Sequence, residues 1–130
     1  MSDQDRQYPP LECTLFFGDG DYPFRLNLKG IASLQTKVQA CIGAIYARVL
    51  SGVYYEHDLI ETVRHGLIGG GMAPKEANDL IKAYGDIMPL EDWHNLAANV
   101  LTVAVHGYNA DGGEGAGKKS MAQTEMDSLT

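Results

Sequence analysis

Long apolar runs, basic residues and cysteines are all scarce in this sequence of 130 residues. No apolar stretch approaches the roughly 20 residues that span a bilayer, and no signal peptide opens the chain, so we expect no membrane partner. Lys and Arg number 10 against 17 Asp and Glu, and the formal charge of -7 argues against nucleic-acid binding, which needs basic residues. The two cysteines, Cys13 and Cys41, lack a metal-like spacing, which indicates free thiols in a cytoplasmic protein.

The remaining composition predicts one folded domain between two flexible ends. Hydrophobic residues make up 45% of the chain, enough to bury a core, and the length suits a single domain. The polar stretch that closes with Tyr8-Pro9-Pro10 predicts a flexible leader, 1–10. The glycine-rich composition beyond Tyr108 has little apolar surface to offset its ordering entropy, and it predicts a disordered tail, 109–130. The folded domain is then 11–108.

The first part of the domain has the pattern of a β-hairpin. Apolar and polar residues alternate from Leu11 to Leu28 on either side of the turn Gly18–Asp21. Each predicted strand therefore has one apolar face, and Leu28 is the last apolar residue of the second strand. Pro23 has no N–H to donate, so we expect its side of the hairpin to be a sheet edge. An isolated hairpin is marginal in water, and this one must therefore pack against the rest of the chain.

Five segments with apolar residues at helical spacing follow the hairpin. They cover about 31–38, 42–51, 56–68, 74–84 and 89–104. Pro74 and Pro89 begin the last two, and the fifth is expected to bury Leu90 and Trp93 on one face. The sequence thus predicts an α+β fold, mostly α, with an N-terminal β-hairpin and about five short packed helices.

The glycine-rich string Gly66–Met72 is the most distinctive motif. Glycines before a helix start are able to hold a phosphate, but a phosphate loop follows a strand and continues with Lys and Ser or Thr. Here a predicted helix precedes the string and Met72-Ala73 continue it. We therefore interpret the glycines and the following proline as a structural turn between two helices, formed by Gly69, Gly70, Gly71 and Pro74. Nucleotide binding by Gly66–Met72 is the less favoured alternative.

Catalytic and metal-binding patterns have little support in the sequence. None of the four histidines forms a His-Glu-x-x-His pair or neighbours a cysteine cluster, and we expect surface histidines: His57, His65, His94, His106. Cys13 and Cys41 both fall in apolar stretches, where thiols are usually buried and inert. We expect no enzyme activity, no metal and no cofactor.

Tyr54 and Tyr55 stand in a predicted loop between two helices. Trp93 and Tyr84 recur with apolar helix positions and are expected in the core. Aromatic residues exposed on a loop instead favour a protein partner, because large apolar surface patches mark interaction sites. Tyr54 and Tyr55 are therefore the predicted partner-binding residues.

Several strings together resemble one protein family. They are Phe24–Leu28 at the end of the hairpin, Ile42–Arg48 before the turn at Ser51-Gly52, and Gly66–Met72 with Pro74 behind it. These strings are similar to those of the tail assembly chaperones of gene transfer agents and siphophage-like prophages, a family also labelled as a tail tube protein family. The resemblance covers about residues 11–108.

The resemblance implies a non-enzymatic protein that acts during tail morphogenesis in the cytoplasm of the bacterial host. It implies that the tape-measure protein is the partner, which such chaperones coat until tail tube subunits polymerise around it. Tail tube subunits are a second implied partner. A homo-oligomer of this protein is a further possibility that the resemblance does not decide. The alternative is a structural tail tube or tail-completion component that is retained in the particle.

Overall fold

The computed structural model describes residues 7–109, as a hairpin followed by five helices. The strands and helices are β1 (Glu12–Phe17), β2 (Gly20–Arg25), α1 (Leu28–Val38), α2 (Ile42–Ser51), α3 (Glu56–Gly69), α4 (Pro74–Tyr84) and α5 (Leu90–His106). This order confirms the predicted α+β fold, mostly α. Most of the predicted leader and nearly all of the predicted tail lie outside the described residues. Within 7–109, no helix has the length and apolar character needed to cross a bilayer.

The hairpin turns through Gly18 and Asp19, between the paired residues Phe17 and Gly20. Gly18 has a φ of 69°, a left-handed conformation that glycine adopts without a Cβ clash. The Tyr22 hydroxyl donates a 2.5 Å hydrogen bond to the Asp19 carboxylate. That bond, with desolvation and the negative charge of Asp19, raises the pKa of Tyr22 to about 12, so the hydroxyl stays protonated and continues to close the turn.

The outer edge of β2 packs against the C-terminal end of α3, backbone to backbone. A Cβ on Gly69 would lie 1.9 Å from the Arg25 carbonyl oxygen, and one on Gly70 would lie 2.1 Å from the Pro23 carbonyl oxygen. Only residues without a Cβ permit this approach. Pro23 does lie on an outer edge of the sheet, as its missing N–H predicts, but the glycine end of α3 covers that edge.

Helix α3 is central and contacts β2, α1, α4 and α5. Its buried residues Leu59, Val63 and Leu67 recur at the spacing that the sequence predicts. Trp93 of α5 is in the core, as expected, and its ring packs edge-on against Phe17 with the centroids 5.2 Å apart. The core therefore includes side chains from both strands and all five helices.

Two residues expected in the core are exposed instead. Leu28 and Leu90 are 83% and 51% exposed, and each is the first residue of its helix. Leu28 belongs to α1 rather than to a strand, because the Asn27 side chain accepts the Gly30 N–H and begins the helix there. Helical side chains lean toward the N-terminus, so a first residue projects beyond the end of its helix. The apolar periodicity therefore placed one residue too many, Leu28 or Leu90, on each of the two faces that were expected to be buried.

The junction between α1 and α2 is a sharp turn at Gln39, which has a φ of 63°. The side chain of Gln35 crosses this turn, and its Oε1 accepts the Ile42 N–H at 2.8 Å, which satisfies a free donor at the start of α2. Cys41 occupies the N-cap position of α2 and is exposed, so the expectation that its thiol is buried is wrong. Cys41 is exposed because it precedes the helix and is not part of the apolar face that α2 buries. Cys13 is buried in β1, as predicted.

Candidate partner-binding surfaces

The predicted structural turn lies where α3, α4 and the hairpin meet. Gly69 and Gly70 contact the backbone of β2, Gly71 has a φ of 118°, and Pro74 is the first residue of α4. The atoms in front of Gly69 and Gly70 are carbonyl oxygens, which repel a phosphate group rather than bind it. This geometry supports the structural interpretation of the string over the nucleotide-binding alternative.

Tyr54 is half-buried and connects the loop before α3 to α5. Its ring stacks on the His94 ring with the centroids 5.1 Å apart. His94 in turn has Nε2 at 2.7 Å from the Val49 carbonyl oxygen, a contact in which the ring N–H donates. The structure thus places Tyr54 in a packed contact among α2, the loop and α5, and gives it less exposure than the sequence predicts.

Tyr55 points away from this contact and is 63% exposed. Its ring stacks on the His57 ring at 5.5 Å, and the Arg48 guanidinium lies 5.5 Å from its centroid, within range of a cation–π interaction. Leu50 and Val53, on either side of Gly52, are also exposed. We call Leu50, Val53 and Tyr55 the loop surface. It presents three apolar side chains to solvent within six residues of chain.

A partly buried ion pair holds the loop surface in position. The Arg48 guanidinium donates from Nε and a terminal nitrogen to the two Asp58 carboxylate oxygens, at 3.0 and 2.6 Å, and the Tyr55 N–H donates to the same carboxylate at 2.9 Å. Burial alone would raise the pKa of Asp58, but these hydrogen bonds outweigh it and lower that pKa below its ordinary value. The bond to Asp58 raises the pKa of Arg48. Both groups are therefore charged, and they fix the start of α3.

The sequence prediction missed this pair, although one of its members carries a recognisable signal. Asp58 is the third residue of a predicted helix, where an acidic side chain commonly accepts the N–H of the residue before the helix. That signal identifies the cap but not the partner, because Arg48 lies ten positions earlier on another helix.

In residues 7–109, a groove of about 430 Å³ has residues of β1 and α5 in its lining and none of α3. We call it the β1 groove, and β1, the hairpin turn, the end of α4, the following loop and α5 all line it. Its exposed apolar residues are Phe16 and Ile87, at 66% and 70% exposure. The sequence contained a signal for Phe16, since strand alternation sets it on the face opposite Cys13 and Phe17. Ile87 falls outside every predicted helix and had no periodic signal.

In the described part of the chain, the histidine side chains contact other groups of the protein and are not gathered into a metal site. Among residues 7–109, no three His, Cys, Asp or Glu side chains are arranged to hold a metal ion. His65 Nδ1 lies 2.8 Å from the Glu61 carbonyl oxygen, and His106 Nε2 lies 2.9 Å from the Tyr46 hydroxyl. His65 and His94 are half-buried, which corrects the expectation that all four lie on the surface.

The fold and these surfaces define a small α+β protein that exposes apolar side chains at the loop surface and at the β1 groove, a pattern typical of proteins that bind other proteins. Residues 11–107 match a family described as phage tail tube protein, GTA-gp10, and because they are more than half of the chain, the protein belongs to that family. This confirms the resemblance to a gene transfer agent and phage tail family. No curated protein and no solved structure matches the chain.

Proposed function

We propose that this tail protein is an assembly chaperone that binds the tape-measure protein during tail morphogenesis and keeps it soluble until the tail tube forms. The role we propose is one of binding rather than catalysis, in the cytoplasm of the bacterial host. Tail tube subunits are a second partner in this proposal. Family membership supports the setting in a phage or gene transfer agent tail.

The observation that carries the proposal is the loop surface. Leu50, Val53 and Tyr55 are exposed, and the partly buried Arg48–Asp58 pair holds the loop that presents them. An apolar surface that is already ordered loses little conformational entropy on binding. Such a surface suits the apolar face of an amphipathic helix, which contacts its partner through residues at i, i+3, i+4 and i+7.

The net charge supports the chaperone role independently. The chain carries a formal charge of -7, and proteins with a net charge far from zero resist aggregation. A complex that covers apolar segments of a long helical partner with acidic subunits gains the same protection.

A second candidate function is that of a tail tube or tail-completion component retained in the particle. The description of the matching family as a phage tail tube protein favours it. The two functions differ in the fate of the protein after assembly. We expect mass spectrometry of purified particles to find tail proteins without this chain. Its presence at a stoichiometry near that of the tube subunit would overturn the chaperone proposal in favour of the structural one.

Co-expression with the tape-measure protein tests the binding surface. We expect the V53S, Y55S double variant to reduce the co-purified tape-measure protein by about tenfold, because central apolar contacts contribute most of the affinity of an interface. The matched control is L28S, which removes an apolar side chain from α1 that is more exposed than Val53 or Tyr55. Tyr54 is left intact because its ring is packed against His94. Undiminished capture by the double variant would exclude the loop surface as the binding site.

A further inference from the structure

β1 directs a row of backbone groups away from β2. Residues of an antiparallel pair alternate between those that bond across the pair and those that point outward. The Pro23 and Arg25 carbonyl groups point outward, toward the glycines at the end of α3. Their partners in the register, Thr14 and Glu12, therefore direct their own N–H and C=O groups to the opposite edge, and Phe16 is next in the same row.

This outward row faces the β1 groove. Leu15 and Phe16 both line the groove. Because consecutive side chains lie on opposite faces of a strand, a lining that includes both, with Gly18 of the turn, indicates a groove along the edge of β1 near the hairpin turn. Within residues 7–109, the outward groups of Thr14 and Phe16 receive no backbone hydrogen bond beyond the hairpin. Proteins commonly protect such an edge with Lys or Pro, and β1 contains neither.

The chemistry around the groove favours an apolar and basic occupant. Phe16 and Ile87 supply exposed apolar surface. Acidic residues accompany them: Asp21 is the cross-strand partner of Phe16, Asp86 precedes Ile87, and Asp92 lines the groove itself. The lining of the groove, as the structure describes it, contains no Lys or Arg.

We propose that an extended segment of another protein, with alternating apolar and basic residues, binds the β1 groove as a third strand. Its backbone pairs with the outward groups of Thr14 and Phe16, its apolar side chains enter the groove, and its basic side chains face the acidic residues. A second copy of this chain is a poor occupant, because β1 contributes Glu12 and no basic residue and each copy carries a charge of -7. This site goes beyond the proposed function, since it lies apart from the loop surface and does not depend on which tail protein supplies the strand.

The test uses the full chain and a synthetic seven-residue peptide that alternates lysine and valine. We expect saturable NMR shifts at the Thr14 and Phe16 amides and a slowing of their hydrogen exchange. The Cys13 and Leu15 amides, which bond to β2, should already be protected without peptide. A peptide that alternates glutamate and valine is the charge control, and we expect it to bind about tenfold more weakly.

Backbone pairing is tested by a lysine–valine peptide that is N-methylated at alternate residues on the edge that faces β1. It keeps every side chain but cannot donate to the strand, and we expect at least about a tenfold loss of affinity. On the protein, T14P removes the outward N–H, whereas T14A retains it. Because that N–H does not bond to β2, T14P should fold, as its circular dichroism will show, and should lose binding, while T14A should bind normally.

Four results would overturn the proposal. Equal binding of the methylated and unmethylated peptides would show that backbone pairing has no part in recognition, and this test leaves the protein unchanged even if T14P fails to fold. Equal binding of the acidic peptide, or no saturable shift up to millimolar peptide, would exclude the stated occupant. Self-association through β1, detected by sedimentation and abolished by T14P, would assign the edge to a second copy instead.

Discussion

At the scale of single residues, Arg48 and Asp58 form a bidentate ion pair, but their side chains differ in burial. The Asp58 side chain is fully buried, whereas the Arg48 side chain is 26% exposed. Loss of Arg48 leaves a carboxylate without a charged partner and away from water, whereas loss of Asp58 leaves a guanidinium that water still reaches. The two partners therefore contribute unequally to stability.

Urea unfolding at neutral pH measures this inequality. We expect R48M to lower the free energy of unfolding by about 3 kcal/mol, because it strands a buried charge. D58N should cost less, about 1.5–2 kcal/mol, the lower part of the range for hydrogen bonds to a charged group. Equal costs, or a larger cost for D58N, would contradict the assignment of Asp58 as the desolvated partner.

The pH dependence of stability gives a second residue-scale prediction. The pKa of Asp58 is lowered in the folded protein, so the unfolded chain binds this proton more readily. Its stabilising contribution is therefore complete above the unfolded-state pKa of about 4 and is lost as the pH falls through the lower, folded-state value. In R48M, we expect burial to outweigh the remaining hydrogen bond from the Tyr55 N–H, so that the contribution of Asp58 to stability rises rather than falls on acidification. Unfolding titrations across this range test the prediction, and parallel curves for the two proteins would refute it.

At the scale of elements, the contact between β2 and α3 depends on two missing side chains. We expect G69A to lower the free energy of unfolding by about 3 kcal/mol, since its Cβ would overlap the Arg25 carbonyl oxygen and the strand or the helix would have to move. The control is G43A in α2, where a Cβ meets nothing within 4 Å. Alanine suits a helix better than glycine, so G43A should add about 0.5–1 kcal/mol. A mild effect of G69A in urea unfolding would mean that the contact is loose.

The turn between α1 and α2 makes a prediction of the opposite sign. Gln39 has a left-handed conformation, which costs a residue with a Cβ roughly 1 kcal/mol. Q39G should therefore raise the free energy of unfolding by about 0.5–1 kcal/mol, despite the greater freedom of glycine in the unfolded chain. The control K37G, in the last turn of α1, should destabilise by a similar amount. Thermal unfolding of both variants distinguishes the conformational effect from a general effect of glycine.

At the scale of the whole molecule, the hairpin and helices share one core, so they should unfold together. The two thiols report on this directly. We expect exposed Cys41 to react with a thiol reagent at once and buried Cys13 to react only on global unfolding. The opening free energy from the Cys13 labelling rate should then equal that from urea unfolding, measured in C41S to isolate the signal. A lower value would show that the hairpin opens separately.

Much of the architecture was predictable from the sequence, because apolar periodicity is a local property. It located the hairpin, all five helices and the central burial of Trp93. Contacts between distant segments were not predictable this way: nothing near Gly69 indicates that Arg25 packs on it, and nothing near Tyr54 indicates His94. The two proposed partner-binding surfaces differ in the same way. The loop position of Tyr55 was predictable from the sequence, whereas the groove depends on tertiary packing.

The close contact of Gly69 and Gly70 with β2 also limits how many additional strands the hairpin can pair with in an assembly. Within residues 7–109, one sheet edge is closed by α3 and the other is open at Thr14 and Phe16, so the two-stranded sheet can accept one strand there and offers no second open edge for a further strand. A ring or tube joined by continuous sheet hydrogen bonds requires two open edges in every subunit. Pairing between the hairpins of successive subunits therefore ends with a single partner, and a longer polymer must be joined through other surfaces.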